Sequence, residues 1–206
     1  MEKTTPQIKV CGMKHSDNIR EVVDLGVDYM GFIFYSKSKR DASEVDRKVL
    51  KGLKTKKVGV FVNESFEFIQ EKIDLYYLDA VQLHGDESPE LCEIIQLLDV
   101  EVFKVFSVGE EFDFSILDPY KKHVDYFLFD TKGKERGGNG VTFDWSILEK
   151  YDNEIPLILS GGLNPDNIKE AINLENLNVY ALDLNSGFEI KPGLKDVGIL
   201  KESLGK

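Results

Sequence analysis

Cysteine is scarce in this sequence. Cys11 and Cys92 are the only two, one at the end of an apolar β-rich run and the other inside the helical pattern LCEIIQLL. They make no disulfide framework and have no metal-ligand spacing, so the chain is expected in a reducing compartment. Long hydrophobic runs are missing as well: nothing approaches a membrane span, and Met1 to Gln7 has no apolar stretch of the kind a secretory leader needs. The reading is a soluble, cytoplasmic protein with no membrane partner. HExxH, CxxC, Walker and dinucleotide-binding patterns are all absent, so nothing visible requires a metal or a nucleotide cofactor. Basic residues are outnumbered 26 to 37, giving a net charge of -11. The long-range field therefore repels nucleic acid and anionic membrane surfaces. A small anion is still admissible, because a few backbone NH groups and one Arg make a local positive site on an acidic protein.

What the sequence has is alternation. Its 206 residues, 42% hydrophobic, suit one core and one domain over residues 1–206. Short runs rich in β-branched and aromatic residues end near Cys11, Phe34, Val62, His84, Phe106, Asp130, Ser160 and Leu184. Between them lie stretches of helical period, expected at Ser16 to Leu25, Ser43 to Leu53, Ser65 to Tyr76, Ser88 to Leu98, Asp144 to Tyr151, Asn164 to Asn173 and Lys195 to Leu204. The segment Phe112 to Lys121 is a weaker helix because Pro119 interrupts it, whereas Pro165 suits a first helical position. Strand ends spaced for a crossover helix imply parallel strands. Eight β-then-α units close into a (β/α)8 TIM barrel or open into a doubly wound sheet. The open sheet calls for a Gly-rich loop after strand one. Here the glycines follow strands six, seven and eight, which favours the α/β barrel with its site at the C-terminal strand ends.

That placement sorts the polar residues. Strand seven runs into Ser160-Gly161-Gly162-Leu163-Asn164-Pro165 and strand eight into Asn185-Ser186-Gly187, two adjacent turns able to present backbone donors to a phosphate. Either alone is an ordinary tight β-to-α turn. Cys11 should project into the mouth, where a thiolate could serve as general base; the bland reading is a small buried hydrophobe, which also fits Cys92. Asp130 ends an apolar strand, a costly place for a carboxylate unless it is used. It could donate a proton as general acid, or simply cap the next loop. That loop, Thr131 to Val141, contains Gly137, Gly138 and Gly140 and is either a lid or a flexible connection. Arg40, in a basic run after strand two, could bind a carboxylate in bidentate fashion or be solvated surface. Gln82 and His84 share the inward face of strand four, so His84 touches substrate or orients a neighbour. His15 and His123 read as surface residues.

Taken in order, KVCGMKHSDNI, GFIFYSKSKR, VGVFVN, VQLHGDES, LFDTKGKERGGNGVTFDW, LSGGLNPDNI and DLNSGFEIKPGLKD resemble phosphoribosylanthranilate isomerase of tryptophan biosynthesis, from Lys9 to Asp196. The resemblance implies a barrel of the ribulose-phosphate-binding type. It also implies an Amadori rearrangement that opens a ribose ring to an iminium and moves a proton, with no cofactor. Cys11 is implied as general base and Asp130 as general acid. Arg40 would meet the anthranilate carboxylate, Gly161, Gly162 and Ser186 would hold the phosphate, and Asp183 would be a further substrate contact. Asn185 and Asn139 depart from the usual Ser and Thr or Ser. Asp41, next to Arg40, is also unexpected and could pair with its guanidinium.

Two other phosphosugar barrels compete. Indole-glycerol-phosphate synthase needs catalytic lysines, for which Lys9 and Lys104 are available, and an N-terminal extension, which is not seen. A histidine-pathway isomerase needs two half-barrel copies, and Cys11 has no Gly-rich partner turn in the first half. A non-catalytic metabolite-binding barrel would have lost the acid and base. The expected partner is a small phosphorylated molecule, on a monomer or a homodimer.

Overall fold

The computed structural model describes residues 5–131, 145–174 and 177–206. Within them, β1 (Gln7–Cys11), β2 (Tyr29–Ile33), β3 (Lys56–Phe61), β4 (Ala80–Leu83), β5 (Glu101–Val108), β6 (Tyr126–Thr131), β7 (Leu157–Ser160) and β8 (Val179–Leu184) pair in chain order, all parallel. β8 pairs back onto β1, with Lys9 opposite Asp183 and Val10 opposite Leu184, so the sheet closes and leaves no edge.

Closure gives each strand two buried faces. Outward residues such as Val10, Phe32, Phe61, Phe127 and Leu182 pack with helix residues into an annular core. Inward residues Tyr29, Val58, Ala80, Phe103, Val105, Leu128, Ile158 and Ala181 fill the barrel itself. Burying each large apolar side chain contributes about 1.5–3 kcal/mol, so this two-sided burial is what holds strands too short to be stable alone. Below the inner core, Tyr29 donates to Glu101 at 2.9 Å and its ring packs edge-on against Phe103 at 5.7 Å, plugging the N-terminal end.

The outer ring is less regular than the sequence suggests. Helices α1 (Ser16–Asp24), α3 (Phe66–Tyr76) and α4 (Pro89–Gln96) lie where expected. Ser65 Oγ accepts from Phe68 N–H at 3.2 Å and Ser88 Oγ from Leu91 N–H at 3.4 Å, the side-chain caps that such helix starts require. The other five segments depart. The second shrinks to α2 (Arg47–Leu50): Asp41 takes the N–H and hydroxyl of Ser43, local bonds that compete with the helix ladder, and the helix starts only where Asp46 caps it by accepting from Lys48 N–H. The fifth is a 3-10 helix at Phe114–Tyr120 with Pro119 inside it, and the sixth is a 3-10 helix at Trp145–Lys150. The seventh begins only at α5 (Ile168–Ile172), because the side chains of Asn164 and Asn167 knit Pro165 into a preceding turn. The last is α6 (Val197–Ser203), and Lys195 leaves it for a hairpin of β9 (Glu189–Lys191) and β10 (Leu194–Lys195). Among the described residues no helix is long and apolar enough to cross a membrane.

Candidate active site

Period-two alternation decides which side chains reach the barrel mouth. Leu128 precedes Asp130 on β6, Ile158 precedes Ser160 on β7, and Ala181 precedes Asp183 on β8. In each strand the deeper inward residue is apolar and packs in the inner core, while the next carries a polar group to the C-terminal end. Cys11, His84, Asp130, Gly161, Gly162, Asp183, Asn185 and Ser186 line one cavity there, together with Gln82 and Ser160. Eight of the nine anticipated site residues are thus brought together, and Arg40 stands at the rim.

Cys11 is 3% exposed and lies opposite Gly31 of β2. A Cβ at Gly31 would sit 2.7 Å from the Cys11 sulfur, so the missing side chain on β2 is what makes room for Sγ. Burial pushes the thiol above the ordinary cysteine range, and the ammonium of Lys9, two residues back on the same face, pulls it part of the way down. Lys9 is fully buried, its Nζ 2.8 Å from Asp183 Oδ1. Burial alone would lower Lys9, but the carboxylate of Asp183 and the sulfur of Cys11 outweigh it and raise the ammonium above its usual value. Ser160 Oγ donates to the other Asp183 oxygen at 3.3 Å. A sulfur, a cation and a carboxylate are therefore in sequence along one wall.

Asp130 faces them from β6. Its Oδ2 lies 3.9 Å from His84 Nε2, and Nδ1 of the same ring lies 3.1 Å from Gln82 Nε2. Burial pushes His84 below the usual histidine range, more than the nearby Asp130 charge raises it, so the ring is neutral at pH 7. The loop after His84 is pinned by Glu87, which accepts from the backbone N–H of Asn63 and Gly85 and pairs with Lys104 Nζ at 3.1 Å. Lys9 and Lys104, the two lysines that a ring-closing synthase would need, are thus both committed to buried ion pairs.

On the strand next to Asp130, Gly161 and Gly162 take φ of +86° and +66°, left-handed values that turn the backbone sharply after β7 at the mouth. Asn164 and Asn167 side chains each donate to the Gly162 carbonyl at 3.0 Å. Because α5 starts only at Ile168, any anion held here meets the turn and not a helix end. The neighbouring Asn185 side-chain oxygen accepts from Lys195 Nζ at 2.8 Å.

Arg40 reaches over Gly12, where a Cβ would come within 2.7 Å of its Cδ. Its Nε donates to Glu189 Oε1 at 2.9 Å and its Nη2 to Glu189 Oε2, while Lys195 Nζ donates to Glu189 Oε1 at 2.8 Å. The pairing with Asp41 that the sequence left open does not occur: Asp41 is turned to Ser43. Glu189 occupies the Nε–Nη2 edge of the guanidinium and leaves the Nη1–Nη2 edge for a second carboxylate. Hydrogen bonding to Glu189 raises Arg40 further above its usual value, and Arg40 and Lys195 together outweigh burial to hold Glu189 below the usual carboxylate range.

Glu189 and Lys195 are the residues that reading the sequence missed, and it named Lys9 and Asp183 without seeing that they pair. A signal existed for two of them: Pro192–Gly193 between Glu189–Lys191 and Leu194–Lys195 is a hairpin turn dipeptide. The glycine-bearing loop after β6, residues 132–144, lies outside the described residues, and Gly137, Gly138, Asn139 and Gly140 with it.

Residues 8–205 match the profile of the N-(5'-phosphoribosyl)anthranilate (PRA) isomerase family. The chain is 47% identical to the N-(5'-phosphoribosyl)anthranilate isomerase of Parabacteroides distasonis over 198 residues, covering 94% of this chain and 90% of that one. The crystal structure of phosphoribosyl anthranilate isomerase from Thermotoga maritima superposes with a TM-score of 0.84 at 38% identity, covering 98% of this chain and 100% of that one. A phosphoribosyl anthranilate isomerase in complex with reduced 1-(o-carboxyphenylamino)-1-deoxyribulose 5-phosphate superposes with a TM-score of 0.83 at 36% identity, with the same coverage. This chain belongs to the N-(5'-phosphoribosyl)anthranilate isomerase family.

Proposed function

We propose that this chain converts N-(5'-phosphoribosyl)anthranilate to 1-(2-carboxyphenylamino)-1-deoxyribulose 5-phosphate, with Asp130 as general acid and Cys11 as general base. The observation that carries this reading is that Cys11 on β1 and Asp130 on β6 face one cavity, with the Gly161–Gly162 turn beside them. In the first step the protonated Asp130 gives its proton to the ring oxygen of the ribose. The C1'–O bond breaks, and the anthranilate nitrogen lone pair forms the C1'=N iminium. That iminium acidifies the C2' hydrogen, so a positioned thiolate at Cys11 is enough to remove it; the C–H electrons form C1'=C2' and neutralise the nitrogen. The resulting enol tautomerises to the ketone, and the atoms balance without a redox partner.

The remaining groups fit a phosphate-to-carboxylate span across the mouth. Backbone donors of Gly161 and Gly162, with Asn185 and Ser186, take the phosphate; Arg40 takes the anthranilate carboxylate on its outer edge. Asp183 holds Lys9 beneath Cys11 and presents its carboxylate to the sugar hydroxyls. A cytoplasmic location agrees with two free cysteines. The assembly is a monomer or a homodimer.

The purified protein is expected to consume freshly made phosphoribosylanthranilate, followed as loss of anthranilate-type fluorescence, with no metal or nucleotide added. Unchanged fluorescence under conditions where the substrate is stable would overturn the assignment.

Arg40 supplies a second test through its partner. In Glu189→Gln the guanidinium loses a charge-assisted clamp, of a kind that contributes about 1.5–3 kcal/mol. We expect KM to rise about tenfold or more while kcat stays within about twofold, because the carboxylate of the substrate does not change during the reaction. A lower KM would mean that Glu189 competes with the substrate for Arg40 and does not aim it.

A further inference from the structure

Gln82 lies on β4 two residues before His84, 1% exposed, at the floor of the cavity that holds Cys11 and Asp130. Its Nε2 is 3.1 Å from His84 Nδ1. An amide nitrogen can only donate, so Nδ1 must accept; a neutral imidazole then carries its one proton on Nε2, the atom facing Asp130 Oδ2 at 3.9 Å. Two further observations support that orientation of the amide. Gln82 Oε1 is buried with no donor among the described residues, and turning the amide over would orphan its NH2 instead, the less tolerable choice in a protein interior. A carboxylate opposite Nε2 also favours a hydrogen at that position. The other charges near the ring, Asp183, Lys9 and Lys104, are each held in ion pairs, so none displaces this arrangement.

We infer that Gln82 is a positioning residue: by donating to His84 Nδ1 it fixes the Nε2–H tautomer, so that His84 donates a hydrogen bond to the Asp130 carboxylate once that group has released its proton. The inference rests on the reading of Asp130 as general acid. Its consequence is a transition-state effect, because the Asp130 oxygen gains negative charge as the ribose ring opens.

The test is nitrogen-15 NMR of the substrate-free protein labelled at histidine. There are only three histidines, His15, His84 and His123, and the His84 signals are identified by their loss in His84→Asn. The wild type should show the Nε2–H tautomer. Gln82→Leu should show a mixture or the opposite tautomer, and Gln82→Glu, whose carboxylate can only accept, should show Nδ1 protonated. In both variants kcat should fall about tenfold or more with a smaller change in KM, provided that circular dichroism shows the barrel intact. An Nδ1–H tautomer in the wild type, or an unchanged tautomer in Gln82→Leu and Gln82→Glu, overturns the inference. Full turnover in Asp130→Asn alongside the expected tautomer shifts overturns the role of Asp130 and leaves the control of His84 by Gln82 standing.

Discussion

Cys11→Ala and Asp130→Asn are each expected to lower kcat by about 10²–10⁴-fold while the protein still binds substrate or product, the range that positioned acids and bases supply. Asp130→Asn preserves shape and hydrogen-bonding capacity but removes the transferable proton, so ring opening loses its acid. Cys11→Ala removes the proton acceptor and leaves a space that Gly31 cannot fill. The groups proposed to bind substrate, at the Gly161–Gly162 turn and at Arg40, are untouched in both, so a fluorescence titration should still saturate. The thiol itself can be followed against pH. Burial puts the Cys11 thiol above its ordinary value of 9.0, so the thiolate fraction, read as the rate of Cys11 alkylation by iodoacetamide, should climb throughout the neutral and mildly alkaline range. The linkage sign is fixed: a buried group raised in the folded state favours its protonated form there. The stability contributed by the neutral thiol is present below the unfolded thiol pKa and lost as pH rises through the folded one. Thiol reactivity and stability should therefore diverge with increasing pH. An alkylation rate that is flat from pH 7 to about pH 10 would remove Cys11 as the titrating base.

How much of this was legible follows from the range over which each interaction acts. The strands are set by local period and composition, and all eight lie within two residues of where the sequence ends them. Cys11, His84 and Asp130 could be placed in the mouth because alternation along a single strand decides which way a side chain faces. Arg40 could be placed at the rim but not aimed, since its partner Glu189 is 149 residues away. Lys9 and Asp183 are 174 residues apart and meet only because the barrel closes β8 against β1, so the fold must be assumed before the pair can be seen. The shortened helices have the opposite cause. Asn164, Asn167, Asp41 and Ser43 make hydrogen bonds within three residues of themselves, a local chemistry that a search for 3.6-residue period passes over.

The buried pair beneath the sulfur gives the other large effect. Lys9→Met should destabilise the fold by about 3–5 kcal/mol in urea unfolding, the cost typical of breaking a buried ion pair from one side, because Asp183 is left charged and 5% exposed with the Ser160 hydroxyl as its hydrogen-bond donor among the described residues and no cation paired to it there. Met has nearly the length of the lysine stem, so the loss is of charge compensation and not of packing. Replacing both partners, as Lys9→Met with Asp183→Leu, removes the uncompensated charge together with its partner. Stability should then return to near the wild-type value, since apolar side chains of similar volume often replace a buried pair at no net cost. Activity should not return in the double variant. In Lys9→Met, where Asp183 remains to push the same way, the Cys11 thiol rises still further, so iodoacetamide should alkylate Cys11 more slowly than in the wild type at any fixed pH in the thiol-titrating range. Turnover in the double variant is also lost with the Asp183 contact to substrate, so it is the slower alkylation of Cys11 in Lys9→Met that would mark Lys9 as the group that makes a buried thiol usable. If the double variant is as unstable as Lys9→Met alone, the pair contributes to the fold through geometry that methionine and leucine do not reproduce, and the separation of the two roles fails.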